Sequence, residues 1–379
     1  MAKRPFILLF ALLLFRAASP FSSAQTTPHG ICSAFAPDGT LATATGRNGD
    51  LELKITDPES KVVLDEVQQL PGALAKKCEQ AFSPDSKWLV TVVYANELTV
   101  FVYNLEARRL QKKFSSPWFG FETGYGSTFL AGFLPDDSLV LVRYVRQNVA
   151  DHSDASHIKL HLESWSVNGE LLSDREIGDD YYGRQPVFFS DLDLLWIQDN
   201  CGTTICETGW TISKTGITKE GSFQLPGDYH APAVALPEKD DVLYIYGEAK
   251  QKASLLDPSG HVESEISLPF TPNLLRPLVP DWYYAKQPAI SADAGIAAVP
   301  RHHVAWVLVD TDRDWGSDIV VLRLHPLKVI ARLKTGQGGL GAVSVAHSDG
   351  IIRLVGFWHG KWHQLQCKED DSAECKFKE

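Results

Sequence analysis

Apolar and polar positions along this chain alternate in short runs broken by turn residues, a period of two that predicts half-buried strands. The stretch CEQAFSPDSKWLVTV, Cys78 to Val92, shows the unit: an alternating strand, a Ser-Pro-Asp turn, then a nearly continuous apolar strand. CSAFAPDGTLATAT around Pro37 and FLAGFLPDDSLVLVRY around Pro135 repeat that order, so the turn proline returns after 47 and then 51 residues. Three later units, QPVFFSDLDLLWI, APAVALPEKDDVLYI and QPAISADAGIAAV, set Pro186, Pro232 and Pro288 ahead of the apolar strand. GAVSVAHSDGIIRLVGF, near Ser348, makes a seventh. Each unit continues into further strands joined by tight turns, as in WSVNGELL from Trp165 and LLDPSGHVESEI from Leu255. No apolar spacing of three and four is sustained, so helices are expected to be rare.

A repeat of roughly 40–50 residues built only of short strands predicts propeller blades. Such a sheet cannot bury both faces alone, but sheets ringed around an axis cover one another. The expected fold is all-β, a seven-bladed β-propeller of four-stranded antiparallel blades, with blades starting near 31, 78, 128, 186, 232, 288 and 341 of one domain over 25–379. The repeat resembles the WD-repeat and TolB-like superfamily of β-propellers, whose blades open with a Phe-Ser-Pro-Asp-Gly-like turn after the innermost strand. The resemblance spans nearly all of 30–367 and is specific in the first three units. The Gly-His and Trp-Asp dipeptides of eukaryotic WD repeats are missing, so their side-chain network is not implied. That superfamily includes scaffolds, binding proteins and enzymes, so it implies no activity. The hairpin KWHQLQCKEDDSAECKFKE is expected to supply the outer strand of the last blade.

The chain begins MAKRPFILLFALLLFRAASPFSSAQ: Lys3 and Arg4, an apolar run from Phe6 to Phe15, then small residues to Ala24. This is the layout of a secretory signal cleaved near Ala24, and the apolar run is about half of what spans a bilayer. The mature chain, 25–379, is expected to be secreted or periplasmic with no transmembrane segment. Loss of Lys3, Arg4 and Arg16 takes the formal charge from −11 to about −14, which disfavours a nucleic-acid partner. Six cysteines in an exported chain point to disulfides. Short polar loops favour Cys201 with Cys206 and Cys367 with Cys375, leaving Cys32 with Cys78.

In a propeller the connections between blades share one face with the loops joining second to third strands. Those connections gather aromatic residues here, and Trp118, Tyr181, Tyr182, Trp282 and Tyr283 are the candidate anchors for a protein, peptide or glycan partner. VDTDRDWGSD places Asp310, Asp312, Asp314 and Asp318 at positions 1, 3, 5 and 9 of an expected loop, a carboxylate spacing similar to the calcium-binding hairpin loops of integrin-type propellers. Trp315 stands where a glycine usually permits the turn, and no acid occupies position 12. Calcium is therefore the candidate cofactor. His152, His157 and His161 form a looser group. No GxSxG elbow, P-loop or HExxH pair occurs. The reading favoured is a binding or assembly module; the alternatives are a propeller enzyme of lactonase or dehydrogenase-subunit type, with its site at the axial mouth, and a metal or small-molecule sensor.

Overall fold

The computed structural model describes residues 29–47, 49–70, 77–94, 97–117, 129–146, 158–178, 186–189, 192–200, 205–213, 216–225, 231–237, 239–247, 250–270, 281–307, 311–336, 340–369 and 376–378. The expected leader, 1–24, lies outside them. Every regular element among them is a strand, in seven antiparallel sheets taken up in chain order. The first sheet is β1 (His29–Phe35), β2 (Leu41–Arg47), β3 (Asp50–Thr56) and β4 (Val62–Gln69); the second is β5 (Lys77–Phe82), β6 (Trp88–Tyr94), β7 (Glu97–Asn104) and β8 (Arg109–Pro117). The third holds β9 (Phe129–Phe133), β10 (Leu139–Arg146), β11 (Ile158–Trp165) and β12 (Leu171–Gly178); the fourth holds β13 (Val187–Phe189), β14 (Leu194–Asn200), β15 (Ile205–Ser213) and β16 (Gly216–Phe223). The fifth is β17 (Ala233–Leu236), β18 (Lys239–Tyr246), β19 (Lys252–Leu256) and β20 (Val262–Ser267). The sixth has five strands, β21 (Asp281–Ala285), β22 (Ala289–Ile290), β23 (Ile296–Val307), β24 (Thr311–Arg323) and β25 (Lys328–Gly336). The seventh is β26 (Leu340–Ser348), β27 (Ile351–Trp358), β28 (Lys361–Lys368) and β29 (Lys376–Lys378). The first strands pack side by side: β1 lies against β5 and β26, β5 against β9, β9 against β13, β13 against β17, and β22 against β26. The sheets are the blades of a seven-bladed propeller, with first strands innermost.

The recurrent turn works through its aspartate. In blade 2 the Ser83 hydroxyl donates to Asp85 (2.7 Å), Asp85 accepts from the Lys87 amide (3.1 Å), and Ser83 Oγ accepts from the Trp88 amide (2.9 Å). Ser291 and Asp293 repeat this in blade 6 around Ala292: Ser291 donates to Asp293 (2.5 Å) and accepts from the Ile296 amide (3.0 Å). The side chains thus satisfy amides that the tight turn leaves unpaired. Asp293 also reaches the next blade, where His347 Nδ1 lies 2.5 Å away. Burial pushes its carboxyl up, but Ser291, His347 and the Gly295 amide together bring it below its ordinary value. A depressed carboxyl stabilises the fold fully above its unfolded value of about 3.9 and stops doing so as the pH falls through the folded value. Asp293→Asn is therefore expected to lower the urea midpoint at pH 7, and the gap from the parent chain should narrow as the pH is taken below about 3.9.

Inner strands such as WLVTVVY are apolar at successive positions because each blade is covered on both faces. Leu89 and Val93 of β6 point into a core shared with Leu51, Leu53 and Ile55 of blade 1. Val90, Val92 and Tyr94, offset by one residue, point into a core shared with Leu139 and Leu141 of blade 3. The same alternation builds apolar cores between blades 3 and 4, 4 and 5, 5 and 6, and 6 and 7.

The contact between blades 7 and 1 differs. The Ser344 and Ser33 hydroxyls meet at 3.0 Å, Trp362 Nε1 donates to Thr45 Oγ1 at 3.0 Å, and the Arg353 guanidinium lies 5.6 Å from the Phe35 ring centroid. The run LATATGR already carries this polarity, because Thr43 and Thr45 alternate with Ala42 and Ala44, which belong to the core shared with blade 2. The outer strand of blade 7 is β29, paired to β28 with Leu365 opposite Phe377, so the C-terminal hairpin completes that sheet. On the other side of blade 1, Cys32 of β1 is bonded to Cys78 of β5, with Cα atoms 5.3 Å apart. Cys206 of blade 4 and Cys367 of blade 7 are each in a disulfide as well, and Cys201 and Cys375 lie outside the described residues.

Candidate functional site

Blade 6 departs from the pattern. Its β23 and β24 are 12 and 13 residues long, whereas no other described strand exceeds nine. At about 3.3 Å per residue the excess extends this hairpin on the order of 10 Å beyond its neighbours. The outer strand β25 pairs only with Ser317 to Arg323, while β21 pairs with β23 from Arg301 to Ala305. The result is a three-stranded extension, β21-β23-β24, at the end of the ring where blade-to-blade connections and second-to-third-strand loops lie. The residues VDTDRDWGSD were expected as a loop. From Thr311 onward they form strand, with Asp312 opposite Trp306, Asp314 opposite Val304 and Asp318 opposite Arg301.

At the base of the extension sits a buried ionic cluster. Arg301, 1% exposed, donates from Nε to Asp318 Oδ1 and from Nη2 to Asp318 Oδ2, both at 2.8 Å. Its Nη2 also donates to the Pro269 carbonyl of blade 5 (2.9 Å). Arg332 of β25 donates from Nε to Asp318 Oδ2 (2.5 Å) and from Nη2 to the Tyr283 hydroxyl (2.9 Å). Burial works against the Arg332 charge, yet Asp318 and the Tyr283 hydroxyl raise its pKa above the ordinary value. One carboxylate thus faces two guanidiniums. The Tyr283 ring compensates, lying 4.4 Å from the Arg301 guanidinium on a cation–π path and stacking on His303 at 4.5 Å. Gln251 of blade 5 donates to the Tyr283 carbonyl at 2.8 Å, which ties β21 to the neighbouring blade.

This arrangement locates the residues singled out in the sequence. Tyr283 is 4% exposed and packs inside, while its neighbour Tyr284 is 47% exposed. Trp282 lies on β21, and Asp312 and Asp314 lie on β24, all three described through their backbone. Trp118, Tyr181, Tyr182 and Asp310 lie outside the described residues. The Asp318 carboxylate accepts from two arginines and so faces cations of the chain itself. Arg301, Arg332 and Gln251 escaped the sequence reading. The available signal was an arginine within each of the apolar strands IAAVPRHHVAWV and KVIARLKTG.

No family model and no curated protein matches this chain. Among solved structures it is similar to the β-propeller domain of Myceliophteria thermophila Cps50 (Swd1), at TM-score 0.55 and 11% identity over 89% of this chain and 96% of that one. It is also similar to the β-propeller domain of the Trilobed protease from Pyrococcus furiosus, described as having an open velcro topology, at TM-score 0.51 and 10% identity over 93% and 96% of the two chains. At such identities the likeness is one of fold, and the fold is that of a seven-bladed β-propeller.

Proposed function

We propose that this propeller is a binding or assembly module of the exported kind, and that it takes a protein, peptide or glycan partner on the face bearing the blade-to-blade connections. The observation that carries the reading is the extension of blade 6. A sheet held at its base by the Arg301–Asp318–Arg332 cluster extends from the ring and carries β21, with its Asp281-Trp282-Tyr283-Tyr284 run, toward that face. Rigid aromatic side chains give large contact area at low entropic cost. Because Tyr283 is consumed by the cluster, the anchors are Trp118, Tyr181, Tyr182 and Trp282, joined by the exposed Tyr284.

The test begins with cross-linking and mass spectrometry outside the cytoplasm, which identifies the partner of the full chain. Trp118→Ala combined with Trp282→Ala is then expected to weaken partner binding by at least tenfold, about 1.4 kcal/mol, with the melting temperature nearly unchanged. A folded double variant that binds as the parent does would remove this face from the interaction. Tyr283→Ala serves as the contrast, since it is expected to lower stability through the cluster.

A further inference from the structure

Away from the blade 6 extension, the described residues bring three metal-ligating side chains together on the outer half of blade 3. The ligand atoms of His161, Glu163 and Asp174 all lie within 4.8 Å of one another. His161 and Glu163, two apart on β11, share one face of the strand, and β12 sets Asp174 directly opposite Glu163. His161 Nδ1 and Asp174 Oδ1 are 2.7 Å apart. Glu163 has no exposed surface, and one of its oxygens accepts from Trp165 Nε1 at 2.9 Å. The Trp165 ring is held in turn by stacking on Phe114 of β8, with centroids 4.9 Å apart. This is how an outer-shell donor orients a ligating carboxylate. The Asp174 and His161 side chains, 38% and 17% exposed, leave the group open to solvent on the other side.

We propose that His161 Nδ1, Glu163 and Asp174 form a zinc-class binding site, with water completing the coordination. Two carboxylates and a neutral imidazole match the double charge of the ion. The imidazole selects zinc or cobalt over calcium and magnesium, which prefer oxygen-only shells. Zinc holds such ligands at about 2.0–2.2 Å in a tetrahedron, so binding requires the His161–Asp174 hydrogen bond to open and Glu163 to turn toward them. Those are side-chain rotations on a paired hairpin, and the backbone register of β11 and β12 can stay as it is. The site is independent of the aromatic face and of the carboxylates on β24.

Zinc titrated into the full chain by calorimetry at neutral pH is expected to bind once per chain. His161→Gln and Asp174→Asn should each weaken that binding by roughly tenfold or more. His261→Gln, at another histidine near a carboxylate (Asp257, 3.4 Å), should leave it unchanged. Cobalt added to the unaltered chain should give the visible absorption of a four- or five-coordinate nitrogen–oxygen site, a readout that stands even where a variant fails to fold. Absence of saturable binding at millimolar zinc, equal affinity in folded His161→Gln, or displacement of zinc by an equal concentration of calcium would overturn the assignment.

Discussion

Asp318→Asn is expected to lower the free energy of unfolding by about 3–5 kcal/mol, the usual cost of removing one partner from a buried ion pair. The substitution keeps the shape of the side chain, so no cavity contributes. It removes the single negative charge between Arg301 and Arg332, and it turns an acceptor into an amide whose N–H₂ meets guanidinium N–H groups. Arg301 is enclosed by the Tyr283 ring and blade 5, so its charge cannot reach water without moving β23. Arg332→Gln should cost less, because Arg332 is partly exposed and Asp318 keeps its two-point contact with Arg301. Guanidinium unfolding of the two variants, compared at equal slope, reads the difference. A loss below about 1 kcal/mol for Asp318→Asn would mean that water reaches the cluster and that it does not hold the extension rigid.

The contrast between what could and could not be read in the sequence follows from the range of each interaction. The blades were legible because their information is local: Ser83 and Asp85 satisfy amides within five residues, and Pro37, Pro84 and Pro135 mark the same turn. Blade 6 kept that chemistry through Ser291 and Asp293 after losing the proline. The pairing of Cys32 with Cys78, reached by assigning the two short loops first, is present in the structure. The extension was not legible. Its strands stand beyond the neighbouring blades, where polar residues are tolerated, so VDTDRDWGSD carries no apolar period and reads as a loop. Arg301, Asp318 and Arg332 are far apart in sequence and meet only because β23, β24 and β25 lie side by side. Tyr283 looked like a surface aromatic for the same reason. Its burial depends on β21 pairing with β23, a contact that no neighbouring residue announces.

Replacing both Cys32 and Cys78 by alanine is expected to cost about 4 kcal/mol. The chain-entropy estimate for a closed loop of 46 residues gives that value, within the 2–5 kcal/mol usual for native disulfides. Both side chains lie in the core between blades 1 and 2 and are small, so the lost packing adds little. The position of the bond makes the effect local as well as large. Blade 1 has a shared apolar core and a covalent link on its blade 2 side, but on its blade 7 side it is held through Ser33, Thr45 and the Phe35–Arg353 contact. Polar contacts of this kind contribute on the order of 1 kcal/mol each, so the ring is expected to open first at this seam. Without the disulfide, blade 1 can separate from blade 7 while the six apolar interfaces persist. Hydrogen exchange is therefore expected to accelerate first in β2, β3 and β4, with blades 3 to 5 keeping their protection. Uniform acceleration around the ring, or an unchanged unfolding midpoint, would show that the seam is no weaker than the other interfaces.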